Sequence, residues 1–318
     1  MKQRIFSKLV LLIVFPCMAT LLFAGCKKND DNNNNPPQNT TITDVVSTTG
    51  NFSTLKSAVI KAGLATTLSG TGPFTVFAPD NDAFTAAGIS STVISALPDS
   101  DLKKILLYHT IAGKIPAANV PAGPNAGVQT AEGDSVFVTS NSSGVFVNGI
   151  KVKQADLAAS NGVIHVLSNV LIPPPGNIVE IAQSDTVFSY LVAAVLRASQ
   201  GSTNVAAVLS GKGPYTVFAP TNNAFRNAGF ATINDINAAS TDALTSILTY
   251  HVLAGRVFSS DLTEGAQPVT LNGGKLTISL MGGASVKGNS NTSASKITAA
   301  NIVATNGVIH VIDAVLLP

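Results

Sequence analysis

Histidine is the side chain best suited to move protons near neutral pH or to ligate a metal, and this chain carries four, in two matched pairs. His109 and His251 each close an Ile-Leu-x-Tyr-His run, after Tyr108 and Tyr250; His165 and His310 each close an Asn-Gly-Val-Ile-His run. A metal would need further ligands, either cysteines or a second His or Glu at helical spacing, and neither accompanies these histidines. Paired carboxylates for acid and base work would have to be Asp80 and Asp82. The repeat of that segment carries Thr221 and Asn223 instead, so a mechanism shared by both copies lacks its groups. There is no Gly-x-Ser-x-Gly elbow and no Walker or Rossmann glycine pattern; Gly273-Gly274 and Gly282-Gly283 lie in turn-like, hydroxyl-rich stretches. Both cysteines, Cys17 and Cys26, belong to the N-terminal leader or its edge, which leaves the rest of the chain without a thiol. The expectation is a protein that is not an enzyme and uses no cofactor and no metal, with a hydrolase as the weakest reading.

The elements that must position these histidines point the same way. Leu102, Ile105, Leu106 and His109 share one helical face, as do Leu244, Ile247, Leu248 and His251, which predicts core histidines. A buried imidazole must pair its nitrogens, so hydrogen bonds to backbone or to Asn/Asp side chains are expected. Pro98-Asp99 starts that helix, and Phe52, Leu55, Val59 and Ile60 predict an earlier one. Thr75 to Phe77 reads as a short strand ended by Pro79, with Asp80 capping a helix that carries Phe84. From Gly127 to Ile172, β-branched residues alternate with turn signals at Glu132-Gly133-Asp134, Ser142-Ser143-Gly144, Asn148-Gly149 and Asn161-Gly162, which predicts hairpins. The fold class is α+β.

All of this occurs twice. Gly72-Pro73-Phe74-Thr75-Val76-Phe77-Ala78-Pro79-Asp80-Asn81-Asp82-Ala83-Phe84 recurs as Gly213-Pro214-Tyr215-Thr216-Val217-Phe218-Ala219-Pro220-Thr221-Asn222-Asn223-Ala224-Phe225. Asn161-Gly162-Val163-Ile164-His165-Val166 recurs unchanged as Asn306-Gly307-Val308-Ile309-His310-Val311. Between these blocks the offset drifts only from 141 to 145 residues, the mark of two homologous domains rather than a solenoid. Pro173-Pro174-Pro175-Gly176 reads as a short, semi-rigid spacer between them. The three blocks, in this order and in both copies, resemble the hallmark motifs of the fasciclin-like domain family over residues 42–173 and 177–318. The resemblance implies two tandem domains, each a wedge-like pair of β-sheets flanked by helices. It also implies an adhesive, non-enzymatic role in which Phe77, Pro79, Phe84, Tyr108, His109, Asn161, Gly162 and His165 are structural. The matching residues of the second copy are Phe218, Pro220, Phe225, Tyr250, His251, Asn306, Gly307 and His310.

The first residues set the expected location. Lys2, Arg4 and Lys8 precede an apolar run from Leu9 to Phe23, which Pro16 interrupts and which is short for a membrane span; this is the order of a secretory leader. Phe23-Ala24-Gly25-Cys26 resembles the bacterial lipobox, which implies a signal peptide over residues 1–25 and lipidation of Cys26. Residues 26–41 are polar, with nothing to pack, and read as a flexible tether. Lys28 to Asp31 resembles the lysine-then-acidic tracts of surface-exported lipoproteins, implying a lipid-anchored envelope protein at the outer membrane or cell surface. With 45% hydrophobic and 11% charged residues the chain is globular. Without the leader, 16 basic residues face 17 acidic ones, which gives no electrostatic footprint for nucleic acid. There is no Trp, and of the four Tyr three (Tyr108, Tyr215 and Tyr250) occupy repeated motifs, leaving Tyr190, which follows Val187 and Phe188 in a predicted helix. Flat aromatic platforms for sugars are scarce, so an extracellular protein is the expected partner and a surface glycan the alternative.

Overall fold

The computed structural model describes residues 40–121 and 123–318, so the leader, Cys26 and the tether up to residue 39 lie outside the described residues. In the first repeat a reciprocal capping box between Thr41 and Asp44 starts helix α1 (Ile42–Thr48), followed by α2 (Ser53–Lys61) and α3 (Ala65–Leu68). Strand β1 (Phe74–Pro79) comes next, and Asp80 accepts from Ala83 N at 2.8 Å to cap α4 (Asn81–Ala86). Helices α5 (Ser91–Ala96) and α6 (Asp99–Tyr108) lead into β2 (Thr110–Ala112), β3 (Gly123–Gln129) and β4 (Ser135–Asn141). Strands β5 (Gly144–Val147), β6 (Ile150–Ala159) and β7 (Gly162–Leu167) complete it, with turns on the polar and glycine clusters read from the sequence.

The second repeat uses the same devices. Asn177 and Glu180 form the capping box of α7 (Ile178–Ser184), ahead of α8 (Ser189–Ala198), α9 (Val205–Ser210) and β8 (Tyr215–Pro220). Then come α10 (Asn222–Asn227), α11 (Ile233–Ala238), α12 (Thr241–Tyr250) and β9 (Val252–Ala254). Strands β10 (Thr277–Ser279), β11 (Ser285–Lys287), β12 (Ser295–Ala304) and β13 (Gly307–Ile312) end it.

Each repeat forms one ladder, β2-β1-β7-β6-β5-β4-β3 in the first and β9-β8-β13-β12-β11-β10 in the second. Next to the short edge strands β2 and β9 lies a parallel pair, β1 with β7 and β8 with β13, which sets Phe77 opposite His165 and Phe218 opposite His310. Register shifts between Val152 and Leu157 of β6, and between Ile297 and Ile302 of β12, break the ladder into two arms. Phe77, Ile111 and Leu167 from one arm pack with Val136, Val138 and Val147 from the other, so the arms close as a wedge over a core that also holds Tyr108. The opposite face of β1 and β7, with Val76, Ala78, Ile164 and Val166, packs on the helices. This is the strict alternation of a strand buried on both sides, and each large apolar side chain so buried contributes about 1.5–3 kcal/mol.

One expectation changes. Leu55 and Val59 of α2 are buried, but Ile60 is 61% exposed, because one residue along a helix turns the side chain about 100° away from Val59. The connector, read as a short semi-rigid spacer, is in addition packed against the protein. Pro173 and Pro174 are buried, and Gly176 O accepts from Thr305 N at 3.0 Å. A proline has no N–H to satisfy, so burying it leaves only a carbonyl to be paired.

Candidate functional site

His109 caps α6, and its ring turns back along the helix. Nδ1–H donates to Ile105 O at 2.8 Å, and Nε2 accepts from Leu171 N at 2.9 Å. His251 repeats this with Ile247 O at 2.8 Å and Leu316 N at 2.9 Å. A backbone N–H can only donate, so Nε2 is the acceptor and the proton resides on Nδ1. Both rings are 2% exposed, and desolvation pulls their pKa down to about 4 against the opposing pull of the carbonyl. A neutral imidazole with both nitrogens held by main chain has none left for metal or substrate.

His165 and His310 serve the register shifts. His165 Nε2 donates to Ile115 O at 2.9 Å, and its Nδ1 accepts from Asp156 N at 3.3 Å; His310 does the same with Val257 O at 2.9 Å and Asn301 N at 3.4 Å. Asp156 and Asn301 sit at φ of 59° and 65°, left-handed positions that asparagine and aspartate tolerate better than most residues. Their carboxylate and amide oxygens accept from Ala117 N at 2.9 Å and Ser259 N at 2.8 Å. Phe77 and Phe218 stand beside these histidines with ring centroids 5.7 Å away.

The other repeated residues are equally occupied. Asn161 accepts from Ile42 N at 2.9 Å and donates to Leu68 O at 2.8 Å and Gly70 O at 2.7 Å; Asn306 does this with Ile178, Leu209 and Gly211. Gly162 and Gly307 run so close to the carbonyls of Phe74 and Tyr215 that a Cβ would collide with them. Tyr108 donates to Ser135 O at 3.1 Å and accepts from Asn148 Nδ2 at 3.0 Å, and burial pushes its pKa up to about 12. Tyr250 donates to Lys275 O at 2.5 Å. Phe84 and Phe225 are buried on α4 and α10, and Pro79 and Pro220 end the central strands opposite Leu167 and Ile312. Tyr190 is buried on α8, donating to Ala231 O at 3.0 Å. Among the described residues no group of three or more His, Cys, Asp or Glu side chains is placed to hold a metal ion.

A second set of polar and aromatic side chains meets where the two domains touch. Arg256, just after β9, donates to Ala304 O at 3.1 Å, Thr305 O at 3.4 Å and Gly307 O. Its guanidinium carbon lies 4.0 Å from the centroid of the Phe137 ring on β4 of the first domain. Phe137 also packs on Phe258, with centroids 6.2 Å apart, and on the cluster of Phe258, Val303 and Val308. Asn125 of β3 crosses the seam to donate to Arg256 O at 2.5 Å and to an Asp261 carboxylate oxygen at 3.0 Å, and Asn141 donates to Ser260 O at 3.3 Å. Gly149, at φ +74°, passes Asn301 so closely that a Cβ would meet its amide nitrogen at 2.5 Å. Along the seam runs a cleft of about 490 Å³ between Pro124, Phe137, Arg256 and Asp261. It adjoins one of about 380 Å³ walled by Thr139, Ser140, Asn141, Ser143, Ser260 and Thr263.

The motif residues are thus brought to the cores, while the residues of the seam escaped sequence reasoning. Asn125, Phe137, Arg256, Phe258 and Asp261 lie between the repeated blocks. The signal that marks them is departure from the repeat, since Arg256 stands where the first copy has Lys114 and Phe258 where it has Pro116.

A family profile described as the fasciclin domain matches residues 50–173 and 188–318. Protein sll1483 of Synechocystis is 44% identical over 136 residues, covering 42% of this chain and 74% of that protein. The pig transforming growth factor-beta-induced protein ig-h3 is 28% identical over 261 residues, and human periostin 29% over 244. These stretches cover 79% and 75% of this chain but only 35% and 27% of those proteins. A solved fasciclin-domain pair from the insect cell adhesion molecule Fasciclin I aligns over 85% of this chain and 97% of its own, with 19% identity and a TM-score of 0.41. With the profile matched in both repeats, this chain belongs to the fasciclin domain family and carries two tandem copies of its domain.

Proposed function

We propose that this chain is a lipid-anchored protein of the bacterial cell envelope that binds extracellular or envelope proteins through its fasciclin domains and turns over no substrate. The observation that carries this reading is the occupation of all four histidines by backbone groups, which leaves the domains as scaffolds whose surfaces do the work. Anchoring rests on the leader and on Cys26 beside its lipobox-like tetrad. Several acyl chains on one residue, at about 0.8 kcal/mol per buried methylene, would hold the protein stably on a membrane. The near-neutral balance outside the leader favours short-range contacts over long-range steering.

Mass spectrometry of the native N-terminus tests the anchor: the expected peptide begins at an acylated Cys26, and a cleaved but unmodified Cys26 sinks the proposal. The soluble fragment of residues 40–318, tested on immobilised envelope proteins, tests the binding. A protein partner is expected; turnover in a substrate panel without any partner would overturn the role. The hydroxyl- and amide-walled cleft beside Phe137 favours a second reading, a glycan ligand, and a glycan array on the same fragment separates the two.

A further inference from the structure

The two domains repeat the same motifs, yet several side chains that join their facing surfaces have no counterpart in the sister domain. Counting from the matched Gly113 and Gly255, the second domain carries Arg256, Phe258 and Asp261 where the first carries Lys114, Pro116 and Asn119. On the other side, Tyr108 bonds Ser135 O and Tyr250 bonds Lys275 O, which aligns the two strands and sets Thr277 at the position of Phe137. Lys114 and Thr277 are exposed, whereas Phe258 is buried and Arg256 and Phe137 are half-buried.

The substitutions are not interchangeable. A planar guanidinium can stack on a ring while its edge reaches diverging carbonyls; an ammonium is a compact point charge that cannot do both. Arg256 has no carboxylate within 4.0 Å among the described residues, so the carbonyls of Ala304, Thr305 and Gly307 and the face of Phe137 are what stabilise its charge. Burial pulls its pKa down to about 10, still cationic at neutral pH. Taking Phe137 away would leave that cation with fewer partners and uncover Phe258, Val303 and Val308.

We infer that Arg256, Phe258 and Asp261 form a latch that accepts the Asn125–Phe137 face of the first domain in the same chain, holding the two domains as one rigid binding body. The latch also ends the row. The first domain offers Lys114, Pro116 and Asn119, and the second offers Thr277, so neither outer face can add another domain or another copy through the same seam.

The rigid body goes beyond the binding role proposed above and is tested without any ligand. The fragment of residues 40–318 has no cysteine, so Lys103→Cys and Asp242→Cys, both at exposed helix positions, give one spin label in each domain. Double electron–electron resonance should return a narrow interdomain distance. The variant carrying Arg256→Lys and Phe137→Thr, residues that the sister domain tolerates at the matching positions, should broaden it about twofold or more as the pair becomes two connected bodies. Circular dichroism of the variant confirms that both domains stay folded; should they not, Arg256→Lys alone is read in the same way. A broad distribution in the parent fragment, or an equally narrow one in a folded variant, would overturn the latch. So would sedimentation showing concentration-dependent chains of the parent fragment.

Discussion

At the scale of single residues, His109 and His251 make part of the protein's stability depend on pH. His109 and His251 hold pKa values of about 4 when folded, against 6.5 for the free side chain, because burial disfavours the charged ring. Between those values these groups bind more protons in the unfolded chain than in the folded one, so the stability they contribute is fully present above pH 6.5 and is lost as pH falls toward 4. Each histidine contributes a slope of up to about 1.4 kcal/mol per pH unit in that window. Urea titrations at pH 7 and pH 5 should show the loss, with the midpoint recovering when pH is restored. His109→Ala should cost about 1–3 kcal/mol at pH 7 by stranding Leu171 N–H, and should flatten the first domain's acid response. An unchanged midpoint in His109→Ala and His251→Ala, together with lost partner binding, would move these residues from the fold to the function.

Among elements, the critical joint is the turn that enters the last strand of each domain. Asn161 ties the start of α1 and the end of α3 to the beginning of β7, and Asn306 does the same for α7, α9 and β13. Asn161→Ala leaves one buried N–H and two carbonyls without partners, so a loss of at least about 2 kcal/mol is expected. Hydrogen exchange should locate the weakened protection in α1 and α3 rather than in the β3–β5 arm. Uniform loss across the domain with no local signature would contradict this assignment.

For the whole molecule, each domain has its own cores, and the cluster of Phe137, Phe258, Val303 and Val308 joins them. Residues 177–318 expressed alone should therefore unfold cooperatively, held by Phe188, Phe225 and the other buried residues of that half. The midpoint should lie below that of the same domain in the pair, because Phe258, Val303 and Val308 lose their cover. Differential calorimetry of fragment and pair checks both statements. A fragment without a cooperative transition would show that the second domain depends on the first.

The sequence by itself determined the two-domain α+β plan and the places of the motif residues, because those rest on local rules. A helical period put His109 on the face of Leu102 and Leu106, β-branched runs and glycine turns made the hairpins, and the recurrence of the motif blocks gave each feature twice. Only the tertiary structure decided which atoms those histidines bond, that Pro173 and Pro174 are buried, and that Phe137 and Arg256 meet across 119 residues of chain. Such pairings depend on how two finished domains dock. No period or spacing along the chain encodes that; it shows there only as the loss of repeat identity at Lys114/Arg256 and Pro116/Phe258.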